Sequence, residues 1–98
     1  MTTQHRARIT WSAQQVSEGL PAINKITSPS WFTEPGPGSD EGWSLVCLFD
    51  TPPSEQGNPS TARVEFLVGE APHERLKPRA ILRLFESGTH EARVEILE

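Results

Sequence analysis

Two stretches of the chain carry the same alternation of apolar and polar positions. Ala62-Arg63-Val64-Glu65-Phe66-Leu67 reappears as Ala92-Arg93-Val94-Glu95-Ile96-Leu97. In both copies Ala, Val and Phe or Ile alternate with Arg and Glu, the period of two of a strand with one face buried and the other in water. Ala62, Val64 and Phe66 are therefore expected to face a core, as are Ala92, Val94 and Ile96, while Arg63, Glu65, Arg93 and Glu95 point outward. If the two copies are antiparallel neighbours, Arg63 faces Glu95 and Glu65 faces Arg93. Between them Ala80-Ile81-Leu82-Arg83-Leu84-Phe85 reads as a further strand.

The remainder of the chain divides by the same criteria. Arg6-Ala7-Arg8-Ile9-Thr10-Trp11 alternates and predicts a first strand; residues 14–18 predict a helical turn ended by Gly19 and Pro21; residues 22–27 predict a short second strand. Residues 28–42, rich in Pro, Gly and Ser, read as a loop, because proline fixes φ and removes a backbone donor. The apolar run Trp43-Ser44-Leu45-Val46-Cys47-Leu48-Phe49 predicts a strand buried on both faces, or one whose second face a loop covers. Residues 50–61, with Pro52-Pro53 and Gly57-Asn58-Pro59, form a second loop, and residues 71–77 a single helical turn. Six short strands in so small a chain leave costly open edges unless the sheet closes on itself. The expected fold is all-β: one domain, residues 1–98, forming a small closed six-stranded antiparallel β-barrel.

Composition agrees with that class. Hydrophobic residues make up 35% of 98, and nine prolines and seven glycines interrupt the chain too often for long helices. There is no apolar run of membrane-spanning length, and residues 1–11 pass straight into a strand without a signal-peptide apolar region, so a cytoplasmic protein is expected. The single cysteine, Cys47, has no internal partner and lies in the apolar run, where a free thiol behaves as a small hydrophobe. Charge is unevenly distributed. Residues 1–25 carry +2, residues 26–61 carry −5 from Glu34, Asp40, Glu41, Asp50 and Glu55, and the rest −1. This balance disfavours a general nucleic-acid binder, whose affinity comes from clustered Lys and Arg.

A first strand, a loop ending at Pro21, a central strand, Leu76-Lys77-Pro78-Arg79 before another strand, and Phe85-Glu86-Ser87-Gly88 before a final strand ending Ile96-Leu97 follow one another. This order resembles the C-terminal β-barrel domain of elongation factor Tu, and more closely the small stand-alone bacterial proteins built on that barrel. The resemblance covers nearly the whole chain and implies the barrel fold. The nucleotide-binding domain is absent, and no Gly-x-x-x-x-Gly-Lys-Ser/Thr loop is present. Where the elongation factor has Gly-Gly-Arg facing partner and tRNA, this chain has Val16, Ser17 and Glu18. An acid there repels phosphate, so the tRNA-binding role is not carried over. Pro78-Arg79-Ala80 stands where the family has Pro-Gly-Asp; without the glycine, a type I turn is expected. Val94 replaces a usual glycine and implies a straighter final strand.

Reactive groups form no recognisable constellation. His5, His73 and His90 lack a second ligand at metal spacing, and Ser12, Ser44 and Ser87 lie on no nucleophile elbow. Asp40, Glu41 and Asp50 sit in or beside turn-rich loops, where solvation is the ordinary role. No catalytic site, metal or cofactor is expected. Two features remain as candidate partner contacts. Trp31 and Phe32 either plug one end of the barrel or form an exposed apolar patch. Arg75, Lys77, Arg79 and Arg83 gather around Pro78, where they either meet an acidic partner or a phosphate or are merely solvated among Glu74 and Glu86. The expected function is a non-enzymatic protein-interaction module. The alternatives are an RNA- or translation-associated binder using these bases with Arg6 and Arg8, and an inhibitor or immunity-type protein that presents Asp40 and Glu41 to a basic partner.

Overall fold

A computed structural model of the chain, which describes residues 4–36, 41–86 and 90–98, contains six strands that close into one antiparallel barrel. They are β1 (His5–Thr10), β2 (Lys25–Phe32), β3 (Trp43–Leu48), β4 (Ser60–Phe66), β5 (Ile81–Glu86) and β6 (His90–Ile96). Neighbours run β1-β4-β3-β2-β5-β6, and β6 returns to pair with β1. The connections hold two short helices, α1 (Ala13–Glu18) and α2 (Pro53–Gln56), and a 3-10 turn at His73–Arg75. The loop assigned to residues 50–61 thus contains α2 and gives up its last two residues to β4. Asp40 and Ser87 lie outside the described residues.

Alternation in the repeated strands has the expected phase. Val64 and Val94 are completely buried, Ala62, Phe66, Ala92 and Ile96 join them in the core, and Arg63 and Arg93 are exposed. The two copies are not neighbours, however. β1 lies between them, because its own alternation buries Ala7 and Ile9 and leaves it paired on both edges. The register sets Arg6 opposite Arg63 and Arg8 opposite Glu95, so the expected Arg63–Glu95 and Glu65–Arg93 pairs do not form.

The largest departure lies in β2. Residues 28–32 belong to the strand, not to a loop, and residues 22–24 precede it. Ile26, Ser28, Ser30 and Phe32 all face inward, so the period of two is intact but two of its core positions are serines. Ser30 is satisfied by donating its hydroxyl to the Trp43 carbonyl at 2.7 Å. Pro29 faces outward opposite Ser44, and pairing with β5 begins only at Ser30, which leaves room for a residue without a backbone donor. In β3, Leu45, Val46 and Cys47 are consecutive buried residues, the two-faced burial that the unbroken apolar run implies.

Near the end of β1 the chain is fastened by side chains. Trp11 is buried; its indole donates to Ser60 Oγ at 2.9 Å, and its backbone N–H donates to Asn58 Oδ1 at 2.8 Å. Ser12 then caps α1 through a reciprocal pair with Gln15, the capping box that starts the predicted helical turn.

Candidate functional site

β2 ends on Trp31-Phe32, and strand alternation sends the two rings to opposite faces. Phe32 is in the core, edge-on to Phe66 with ring centroids 5.9 Å apart. Trp31 is outside the core and only partly buried, so the pair does not plug the barrel together. The Trp31 ring meets Phe85 in a T-shaped contact at 5.1 Å and lies against Gly42, where an added β-carbon would stand 2.4 Å from the indole. Gly42 is therefore a space requirement of Trp31.

The outer face of Phe32 is covered by Arg75, whose guanidinium carbon lies 4.0 Å from the ring centroid. Arg75 belongs to the 3-10 turn, which buried Ala71 and Leu76 hold against the barrel, and its Nη2 donates to the Glu34 carbonyl at 3.0 Å. The Lys77-Pro78-Arg79-Ala80 turn follows, closed by an Ala80 N–H to Lys77 carbonyl bond of 3.0 Å. Arg79 has φ +76°, which excludes the expected type I turn. Proline at the second position with a left-handed residue at the third is the type II combination, here with arginine in the place that favours glycine. Tertiary bonds hold it there: Arg79 N–H donates to the Ile96 carbonyl at 2.8 Å, and Ile96 N–H donates to the Ala80 carbonyl at 2.9 Å.

Together these elements line a groove of about 200 Å³, with Phe32, Glu34, Arg75, Lys77, Arg79 and Ile81 among its lining residues. Four of the six residues singled out in the sequence thus meet. Trp31 and Arg83 do not; they face each other across β2 and β5 on the outer wall. Ile81 and the Glu34 carbonyl complete it without any mark in the sequence, since neither a lone apolar strand residue nor a backbone acceptor has a signature there.

The remaining bases separate into paired and unpaired sets. Arg6 lies 3.6 Å from Glu98, Arg8 3.5 Å from Glu95, Arg63 3.2 Å from Asp50, and Arg83 3.6 Å from Glu91. These exposed contacts contribute little stability, but each neutralises a cation. Among the described residues Lys25, Lys77, Arg79 and Arg93 have no carboxylate within 4.0 Å.

Groups with reactive side chains are engaged in structure. Burial pushes the Cys47 thiol up to about 12, leaving it protonated and inert near neutrality. His5 Nδ1 donates to the Glu98 carbonyl and His73 Nε2 to the Val68 carbonyl. The described residues contain no group of three or more His, Cys, Asp and Glu placed to hold a metal ion, and no helix long and apolar enough to cross a membrane. No protein-family model, curated protein or solved structure matches the chain. The structure itself shows a small closed six-stranded antiparallel barrel, and none of these comparisons supports assigning it to the elongation-factor domain.

Proposed function

We propose that the chain is a non-enzymatic cytoplasmic protein-binding module whose contact surface is the basic groove beside Phe32, and that the groove receives an acidic segment of a partner protein. The observation that carries this reading is the clustering of unoffset charge in the groove: Arg6, Arg8, Arg63 and Arg83 on the wall are each offset by a nearby carboxylate, whereas Lys77 and Arg79 stand together on one hydrogen-bonded turn without one. An unoffset cation beside an aromatic and an aliphatic side chain suits a carboxylate carried on a peptide. The resemblance to the elongation-factor barrel and its small stand-alone relatives supports this reading in kind, since that barrel also presents surface to partners. Glu18, exposed on α1 where the resemblance would put a tRNA-facing arginine, argues against RNA.

Fluorescence anisotropy with a dye-labelled glutamate-rich peptide and with labelled tRNA, at low and moderate salt, tests the reading. The peptide is expected to bind the wild type and to lose at least tenfold in affinity with Lys77→Glu/Arg79→Glu, while Arg6→Glu leaves it within about twofold. Binding of tRNA that falls steeply with salt, with no binding of the peptide, would replace this reading with the RNA-binding one.

A further inference from the structure

The groove does not end at Arg79. Residue 81 faces outward from β5 into the groove, and Arg83, two residues on, faces outward onto the wall. Beside Arg83, directly opposite on β6, stands Arg93. Like charges facing each other across a ladder destabilise it. Glu91 offsets only Arg83 of this pair, and Arg93 has no carboxylate partner among the described residues. Both arginines line a second depression of about 390 Å³ with Thr10, Ser12 and Thr33. Thr33 neighbours Glu34, which lines the groove, and donates its hydroxyl to the Ile81 carbonyl at 3.1 Å, so the two depressions adjoin along β5. Glu95, opposite Ile81, is engaged by Arg8. Along this line Arg75, Lys77, Arg79, Arg83 and Arg93 outnumber Glu34 and Glu91.

Resting on the groove reading above, we propose that groove and wall form one track for an extended acidic peptide, with two carboxylates separated by an apolar residue at the middle position. Within β5, Arg83 follows Ile81 on the same outward face at the roughly 6.8 Å of two strand residues, while Arg79 lines the groove from the turn on the other side of Ile81. In an extended peptide two same-face acids on either side of one apolar residue span about 14 Å, enough to reach from one set of bases to the other. The pattern is acid-x-apolar-x-acid, with the apolar side chain over Ile81, one acid at Lys77 and Arg79, and the other at Arg83 and Arg93. Because the barrel is closed, the peptide finds no free strand edge in it and is read through side chains rather than by adding a strand.

The test uses two labelled synthetic peptides that share one sequence, one containing Glu-Ala-Leu-Ala-Glu and the other Glu-Ala-Leu-Ala-Ala. Binding of each is measured to the wild type, to Lys77→Gln/Arg79→Gln and to Arg83→Gln/Arg93→Gln, with thermal melts confirming that the exposed substitutions leave the fold intact. The two-acid peptide is expected to bind the wild type about tenfold more tightly than the one-acid peptide, and the Arg83→Gln/Arg93→Gln variant is expected to abolish that advantage. If that variant retains the advantage while Lys77→Gln/Arg79→Gln still weakens both peptides, the track is wrong and the groove stands. If neither peptide binds the wild type, or neither variant alters binding, both proposals fall.

Discussion

Arg79 shows how one residue links backbone strain to surface chemistry. A β-carbon in the left-handed region costs about 1 to 2 kcal/mol, and the bonds to Ile96 hold Arg79 there at φ +76°. Glycine adopts the conformation freely but gains entropy in the unfolded chain. Arg79→Gly is therefore expected to raise stability by up to about 1 kcal/mol in urea unfolding while weakening acidic-peptide binding; a loss of stability would show that the conformation is unstrained. The two adjacent aromatics differ in the same concrete way. Phe32→Ala empties a core site and should cost about 3 to 5 kcal/mol, whereas Trp31→Ala, outside the core, should cost about 1 to 2 kcal/mol, read from denaturant midpoints at constant slope. Cys47 gives a pH signature. Burial raises its folded pKa from 9.0 to about 12, so the folded state holds the proton more tightly than the unfolded chain. That contribution is complete below about pH 9 and is lost as pH rises towards 12, by at most about 1.4 kcal/mol per pH unit. Between pH 8 and 10.5 the wild type should lose stability relative to Cys47→Ala; parallel losses in the two proteins would contradict the burial.

At the scale of elements, periodicity was legible wherever apolar residues occupied the inward positions. β4 and β6 could be read with their phase because Val64 and Val94 mark it unambiguously. Val64→Asp, which buries an unpaired carboxylate, is expected to abolish the native circular-dichroism spectrum, while Glu65→Gln on the outer face shifts the melting temperature by only a degree or two. β2 is only partly legible in the sequence, for a physical reason. Ser28 and Ser30 are polar residues at core positions, Ser30 satisfied by its hydrogen bond to the Trp43 carbonyl, and Pro29 between them is a loop signal in any local reading. The Pro78 turn departs from the expected type I because the distant Ile96 backbone overrides the local preference against arginine at its third position. The groove was partly legible, since Arg75, Lys77 and Arg79 cluster in sequence. Its continuation to Arg93 was not, because a cross-strand neighbour on another element has no mark in a linear pattern.

For the whole molecule, the decisive contact is between the first strand and the last. β1 is bonded to β4 on one side and β6 on the other, with Ile9 opposite both Ser60 and Val94. Removing β1 would leave β4 and β6 each with one unpaired edge and open the core at Ala7 and Ile9, both fully buried. No subset of strands retains a closed sheet, so partial opening exposes much of what complete unfolding exposes. Native-state hydrogen exchange is the direct measurement. Ladder amides of β1, β4 and β6 should share one opening free energy, equal to that from urea unfolding and falling with urea at the same slope. Ile9→Ala should lower all three together by about 2 to 4 kcal/mol, although β4 and β6 are not paired with each other. Exchange from β6 that is markedly faster than from β4, and insensitive to urea, would mean that the last strand opens alone and that closure is not the cooperative unit.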